Sequence, residues 1–309
     1  MRALASCSNG TTWEVILPAI RSRASAIVSC ASLASVLTLC FPPAGHGEGV
    51  LDPRGPVGAA ERVILYDATA IMLAVVIPVI VLTLAFAWWF RAGNQRARYL
   101  PDWQYSGAIE MIVWSIPALV VLFLGGMAWT SSHDLDPPRP LGTESPLDVQ
   151  VVSADWKWIF IYPDQQVASL NRVVVPAGKP VRFRLTSATV MNSFFVPQLG
   201  SQIYTMSGMT NQLNLQADQP GTYKGLSAQF SGEGFSDMRF DLVAVPTDQF
   251  DAWIAGTRSS GDRLDTARLS ELLKPSVADK PAVFGSVAPG LFDAVVSRHA
   301  GHLSSNVEH

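Results

Sequence analysis

The amino-acid sequence predicts a two-helix transmembrane hairpin, then an all-β sandwich or barrel, then a helical extension. Three observations carry that expectation. Two runs, Ala68 to Phe90 and Met111 to Trp129, contain no charged residue, and each reaches the ~20 residues that cross a bilayer. From about residue 147 to 246, β-branched and alternating runs recur between turn signals with no helical period among them. Beyond residue 247 the apolar spacing changes to three and four, the period of short packed helices.

The chain has 309 residues, of which 49% are hydrophobic and 15% charged, and the apolar excess lies in three N-terminal runs. The first, Ala24 to Phe41, follows Arg21 and Arg23 and ends at Pro42 and Pro43, the layout of a secretory signal. Residues 1–45 are therefore assigned to a signal sequence, with an uncleaved third helix as the alternative. Cys30 and Cys40 are candidate lipidation sites, Cys40 with a bulky Leu39 before it and Cys30 with the smaller Ser29 but a short apolar stretch. Residues 46–67 form a segment leading into the first span.

The spans are placed at 68–90 and 107–130, joined by residues 91–106. Trp88, Trp89 and Trp129 stand at their ends, where an amphipathic ring favours the headgroup region, and Pro78 and Pro117 are tolerated in helices with neighbours. The connection carries Arg91, Arg96 and Arg98 against Asp102, whereas the outer flanks carry Glu48, Asp52, Glu61, Asp67, Asp134, Asp136, Glu144 and Asp148. Retention of Arg on the cytoplasmic side puts the hairpin tip there and everything after about residue 131 in the periplasm.

Residues 131–246 form the β domain, 247–300 a helical, aromatic-containing extension and 301–309 a disordered tail. The formal net charge of -3, with no basic stripe, gives no argument for a nucleic acid or an acidic partner. The stretch GLSAQFSGEGFSDM places Ser227, Ser231, Phe235 and Met238 at spacings of four, four and three, the outline of a metal loop without its ligands. All three cysteines, Cys7, Cys30 and Cys40, precede the spans, and residues 134–298 contain no histidine. A Ser-His-Asp or Cys-His site is thus excluded from the β domain. Gly232 and Gly234 lack the Lys-Ser/Thr that a phosphate loop requires.

LDPRGP before the first span, DWKWIFIYP, VMNSFFVPQLGSQIY, PGTYKG and the GLSAQFSGEGFSDM loop occur together and in order. In this the chain resembles subunit II of the haem-copper respiratory oxidases, from about Leu51 to the last helix, and in particular the quinol-oxidising, bo-type branch. The resemblance implies a cupredoxin-like Greek-key sandwich. In the cytochrome c branch that sandwich holds a binuclear copper centre, and the ligand positions fall here on Asn192, Ser227, Gln229, Ser231, Phe235 and Met238. Serine hydroxyls bind soft metals poorly, so only Met238 keeps a ligand's chemistry, and a lone buried methionine more often fills a core. Phe235 is expected to fill the volume of an imidazole and metal.

The resemblance further implies that this chain bears no cofactor and that haems and catalytic copper belong to a partner subunit I, with subunits III and IV and the lipid bilayer as further partners. The substrate of the complex would be ubiquinol, and the location the bacterial inner membrane. Glu110 has two compatible readings. A first-turn carboxylate complements the helix dipole, and the family's glutamate at this place feeds a proton channel of the partner subunit. Trp156 and Trp158 are read as packing rather than as an electron relay. The other function classes are a copper electron-transfer subunit of a cytochrome c oxidase and a membrane-anchored binding sandwich.

Overall fold

The computed structural model describes residues 49–98, 100–102 and 104–305. The expected signal sequence at 1–45, with Cys30 and Cys40, lies outside the described residues.

Helix α1 spans Pro56–Trp89 and α2 Gly107–Asp134. The proline-compatible first position after an extended Gly55 starts α1 well before the expected Ala68, because nothing between Pro56 and Asp67 breaks a helix. At 34 residues α1 is about 51 Å long, more than the ~30 Å hydrocarbon core, so its first turns project to the β domain. Val57 and Gly58 are buried there, whereas α2 has no buried residue among those described. Arg54 N–H donates to the Gln198 carbonyl at 2.7 Å, Gly58 N–H to Leu199 at 3.0 Å and Asp218 N–H to Arg54 at 2.8 Å. A Cβ at Gly55 would stand 2.1 Å from the Gln216 carbonyl oxygen, so only glycine lets the chain approach this closely.

Two sheets form the sandwich. The first contains β1 (Leu147–Ala154), β2 (Lys157–Tyr162), β3 (Val167–Leu170), β5 (Val181–Ser187), β8 (Asn211–Leu215) and a late strand β12 (Ala282–Phe284), in the order β12-β3-β2-β1-β5-β8. The second contains β4 (Arg172–Pro176), β6 (Asn192–Phe195), β7 (Ile203–Thr205), β9 (Gly221–Ser227) and β10 (Arg239–Val245), in the order β4-β10-β9-β6-β7. Trp158, Phe160, Phe194 and Phe240 fill the space between the sheets, with Phe194 and Phe240 stacked at 4.9 Å and Trp158 edge-on to both.

The extension adds Phe250 and Ile254 of its first helix to the core between the sheets and, from Leu264 onward, covers the other face of the first sheet. It comprises α3 (Thr247–Arg258), β11 (Arg263–Leu264), α4 (Thr266–Leu272), β12, β13 (Ser286–Val287) and α5 (Leu291–Ser305). The expected helices are present, β12 adds an unanticipated strand on β3, and α5 continues past Gly301 to Ser305, because glycine weakens a helix interior without blocking it. Leu264, Leu269, Leu272, Phe284, Leu291 and Phe292 close on Val152, Ile159 and Ile161. Strand β2 is consequently buried at every position, which explains why WKWIFIY reads as a nearly continuous apolar run rather than an alternation.

Lys157 is the exception in that run. Its side chain is 2% exposed, and Nζ meets the Asp279 carboxylate at 3.0 Å, the Lys274 carbonyl at 2.9 Å and the Ser276 hydroxyl. Asn171 Nδ2 donates to the Asp279 carbonyl at 2.9 Å, so the segment 274–279 is fastened to the sandwich from two strands' ends. Burial raises the Asp279 pKa, but hydrogen bonds from Ser276 and Lys157 and the ammonium charge outweigh it and hold the carboxyl below its ordinary value. Asp279→Ala leaves a buried ammonium unpaired and should cost about 3 kcal/mol, seen as faster amide exchange over 274–284 in the intact chain. Because the folded value is depressed, the contribution of the pair is complete above the ordinary carboxyl value of 3.8 and is lost as pH falls through the lowered one.

Candidate functional site

Strands β6, β9 and β10 bring most of the sequence-selected positions to one end of the sandwich. Asn192 begins β6 and Ser227 ends β9, and the two are 0% and 2% exposed. Ser227 Oγ lies 3.3 Å from Asn192 Oδ1 and 3.3 Å from the Gln229 carbonyl, so its single proton serves one of them, and the oxygen accepts the Ser193 N–H at 3.5 Å. Asn192 Nδ2 donates to the Val190 carbonyl at 3.2 Å, and Thr205 Oγ1 donates to the Asn192 carbonyl at 3.3 Å. Ser153 joins this buried set through Thr205, Oγ to Oγ1 at 2.8 Å.

The loop from 228 to 238 closes over that network. Ser227 N–H donates to the Met238 carbonyl at 3.1 Å, Met238 is 1% exposed, and the Ser231 hydroxyl lies 4.0 Å from its Sδ. Phe235 departs from expectation. It is half-buried in the 3-10 turn Phe235–Asp237 and meets exposed Phe230 edge-on at 5.7 Å, so it lies at the rim while Met238 fills the interior. Met238 stands past the end of the 3-10 turn in non-helical backbone, so the i, i+3 alignment of a continued turn does not hold for Phe235 and Met238, which spacing alone does not reveal.

Trp156 does more than pack. It has φ of 63°, a left-handed conformation that is costly for a bulky residue. That geometry turns the indole onto the loop, where Nε1 donates to the Ser231 carbonyl at 3.0 Å. A Cβ on Gly234 would stand 2.4 Å from the ring, so the second glycine of SGEGFS is the space the indole occupies. Trp158 is fully buried between the sheets. Glu110 stands apart from this end, exposed in the first turn of α2, with Oε2 accepting the Trp114 indole N–H at 3.1 Å.

A donor set of two hydroxyls, an amide already engaged, a phenyl ring and the single thioether of Met238 does not suit an electron-transfer copper centre, which needs thiolate and imidazole. Among the described residues no three His, Cys, Asp or Glu side chains come together as a metal site.

Comparison with known proteins agrees with the architecture. The family model described as the cytochrome C oxidase subunit II periplasmic domain matches residues 164–245, and the COX aromatic rich motif matches residues 258–302. Together with the hairpin, these define a haem-copper oxidase subunit II with a cupredoxin-like sandwich. The cytochrome bo(3) ubiquinol oxidase subunit 2 of Pseudomonas aeruginosa is 47% identical over 254 residues, 82% of this chain and 77% of that protein. The ubiquinol oxidase subunit 2 of Acetobacter aceti is 46% identical over 260 residues, 83% and 84% of the two chains. The cytochrome bo(3) ubiquinol oxidase subunit 2 of Buchnera aphidicola subsp. Baizongia pistaciae is 40% identical over 252 residues, 80% and 88%. The chain belongs to the ubiquinol oxidase subunit 2 family.

Ser227→Ala strips a partner from the buried Asn192 amide, and an unsatisfied buried polar group costs about 1–3 kcal/mol. The expected result is a lower unfolding temperature together with faster amide exchange at residues 192–193 and 227–229. Unchanged exchange there would show that the hydroxyl does not hold the two strands' ends.

Proposed function

We propose that this chain is subunit II of a proton-pumping ubiquinol oxidase and that it carries no redox centre of its own. The observation that supports this is the chemistry at the end of the sandwich. The resemblance puts Asn192, Ser227, Gln229, Ser231 and Phe235 at ligand positions of the copper-bearing branch, and here Asn192 and Ser227 bond one another and nearby backbone groups. Met238 is buried beneath the loop, and the indole of Trp156 is bonded to the Ser231 carbonyl.

In this reading the electron donor is a lipid-phase quinol, so no periplasmic port for a protein donor is required. Haems, the catalytic copper and the quinol pocket belong to subunit I, and subunits III and IV complete the complex. The two apolar helices anchor the chain in the inner membrane with Arg91, Arg96 and Arg98 on the cytoplasmic side, and the sandwich is a periplasmic cover that supports assembly. Glu110, at the cytoplasmic end of α2, takes up protons for subunit I.

An affinity-tagged chain should purify from membranes with a polytopic haem protein whose oxygen consumption is driven by ubiquinol and not by reduced cytochrome c. Isolation of the chain alone, or a preference for the cytochrome, would contradict the proposal. Restoring donors with Asn192→His, Ser227→Cys, Gln229→Glu, Ser231→Cys and Phe235→His in the full chain should create copper uptake with intense thiolate-to-copper absorption. A folded variant that takes up no copper would mean these five positions do not correspond to the ligand positions.

A further inference from the structure

We propose that Trp114 is the positioning residue for Glu110, holding its carboxylate in the orientation from which a proton is passed on; this rests on the proton-uptake reading of Glu110. The two side chains are four residues apart on α2, the separation at which helical neighbours share a face. The indole Nε1–H donates to Glu110 Oε2 at 3.1 Å. An indole is a donor only, so the contact requires an oxygen acceptor and is directional. Trp114 is 74% exposed in this chain taken alone, so no packing within the chain fixes its ring.

Tyr105 lies near the first turn of the same helix. Its hydroxyl lies 3.3 Å from where a Cβ of Gly107 would be, which folds the chain before α2 back onto the first turn. Tyr105, Glu110, Met111, Trp114 and Ser115 line an open groove of about 370 Å3. Within it, Oε2 is engaged by the indole, while Oε1 has no hydrogen bond among the described residues. The engaged oxygen fixes the rotamer, and Oε1 takes and releases the proton. Interfacial tryptophans also anchor helices. An anchor needs the ring, whereas the positioning role needs the N–H.

The test uses the complete oxidase complex, with haem content as the check of assembly. Trp114→Phe keeps an aromatic ring and removes the donor. It should lower kcat for quinol-driven oxygen reduction several-fold while leaving the KM for quinol unchanged. Trp114→Gln, which restores an N–H donor without the ring, should recover most of the rate. In a Glu110→Gln background, Trp114→Phe should produce no further loss, since two residues acting as one unit are not additive. If Glu110→Gln is slow but Trp114→Phe turns over normally, or if the two losses multiply in the double variant, the positioning role is overturned and the Glu110 reading stands. If Glu110→Gln itself is without effect, both fall.

Discussion

The loop joining β9 to β10 keeps its course because polar side chains buried beneath it are paired with one another. Asn192 and Ser227 are almost wholly removed from solvent, and an unpartnered amide or hydroxyl at such a place costs about 1–3 kcal/mol against the roughly 1 kcal/mol that one formed hydrogen bond contributes. Loss of any single partner therefore weighs more than the bond it made. Trp156 fits the same pattern, since its left-handed backbone costs on the order of 1–3 kcal/mol and is offset by the bond to Ser231 and by contact with Gly234. Hydroxyls, an amide and an indole thus organise a loop whose outline resembles that of a metal site.

Elsewhere in the molecule, neighbouring segments cover parts of the first sheet's long edges. At one side β12 pairs with β3, and at the other the Pro137 carbonyl accepts the Asn214 N–H of β8 at 3.0 Å. Free edges invite pairing with other chains, so the segment after α2 and the extension both protect the sheet as well as enlarge it. The extension also supplies the second apolar cover that β2 requires. The LDPRGP segment and the start of α1 bond to residues 198–199 and 218, which makes the connection between hairpin and sandwich a packed joint rather than a loose tether.

Much of this architecture is legible in the residues. The charge-free runs mark both spans, and the β-branched runs mark the longer strands, because burial on a pleated surface selects for such residues directly. Short elements escape. β3 and β7 are brief, and β12 is a strand only because β3 offers it an edge, a tertiary cause with no local signal. Hydropathy places the start of α1 late, since it marks where a membrane begins and not where a helix does. At the site, spacing groups Ser227, Ser231 and Met238 and the resemblance adds Asn192, but the position of Phe235 at the rim has no sequence cue. The pairing of Lys157 with Asp279 joins residues far apart in the chain, although a lysine inside an otherwise apolar run is a sign that some partner is needed.

Amide hydrogen exchange over residues 227–238 in the native complex, before and after exhaustive treatment with a copper chelator, tests most directly whether side-chain pairing organises this loop. Pairing predicts identical protection in both samples. A loop that loses protection on chelation would instead be held by a bound metal ion, and the buried hydroxyls and amide would not be what shapes it.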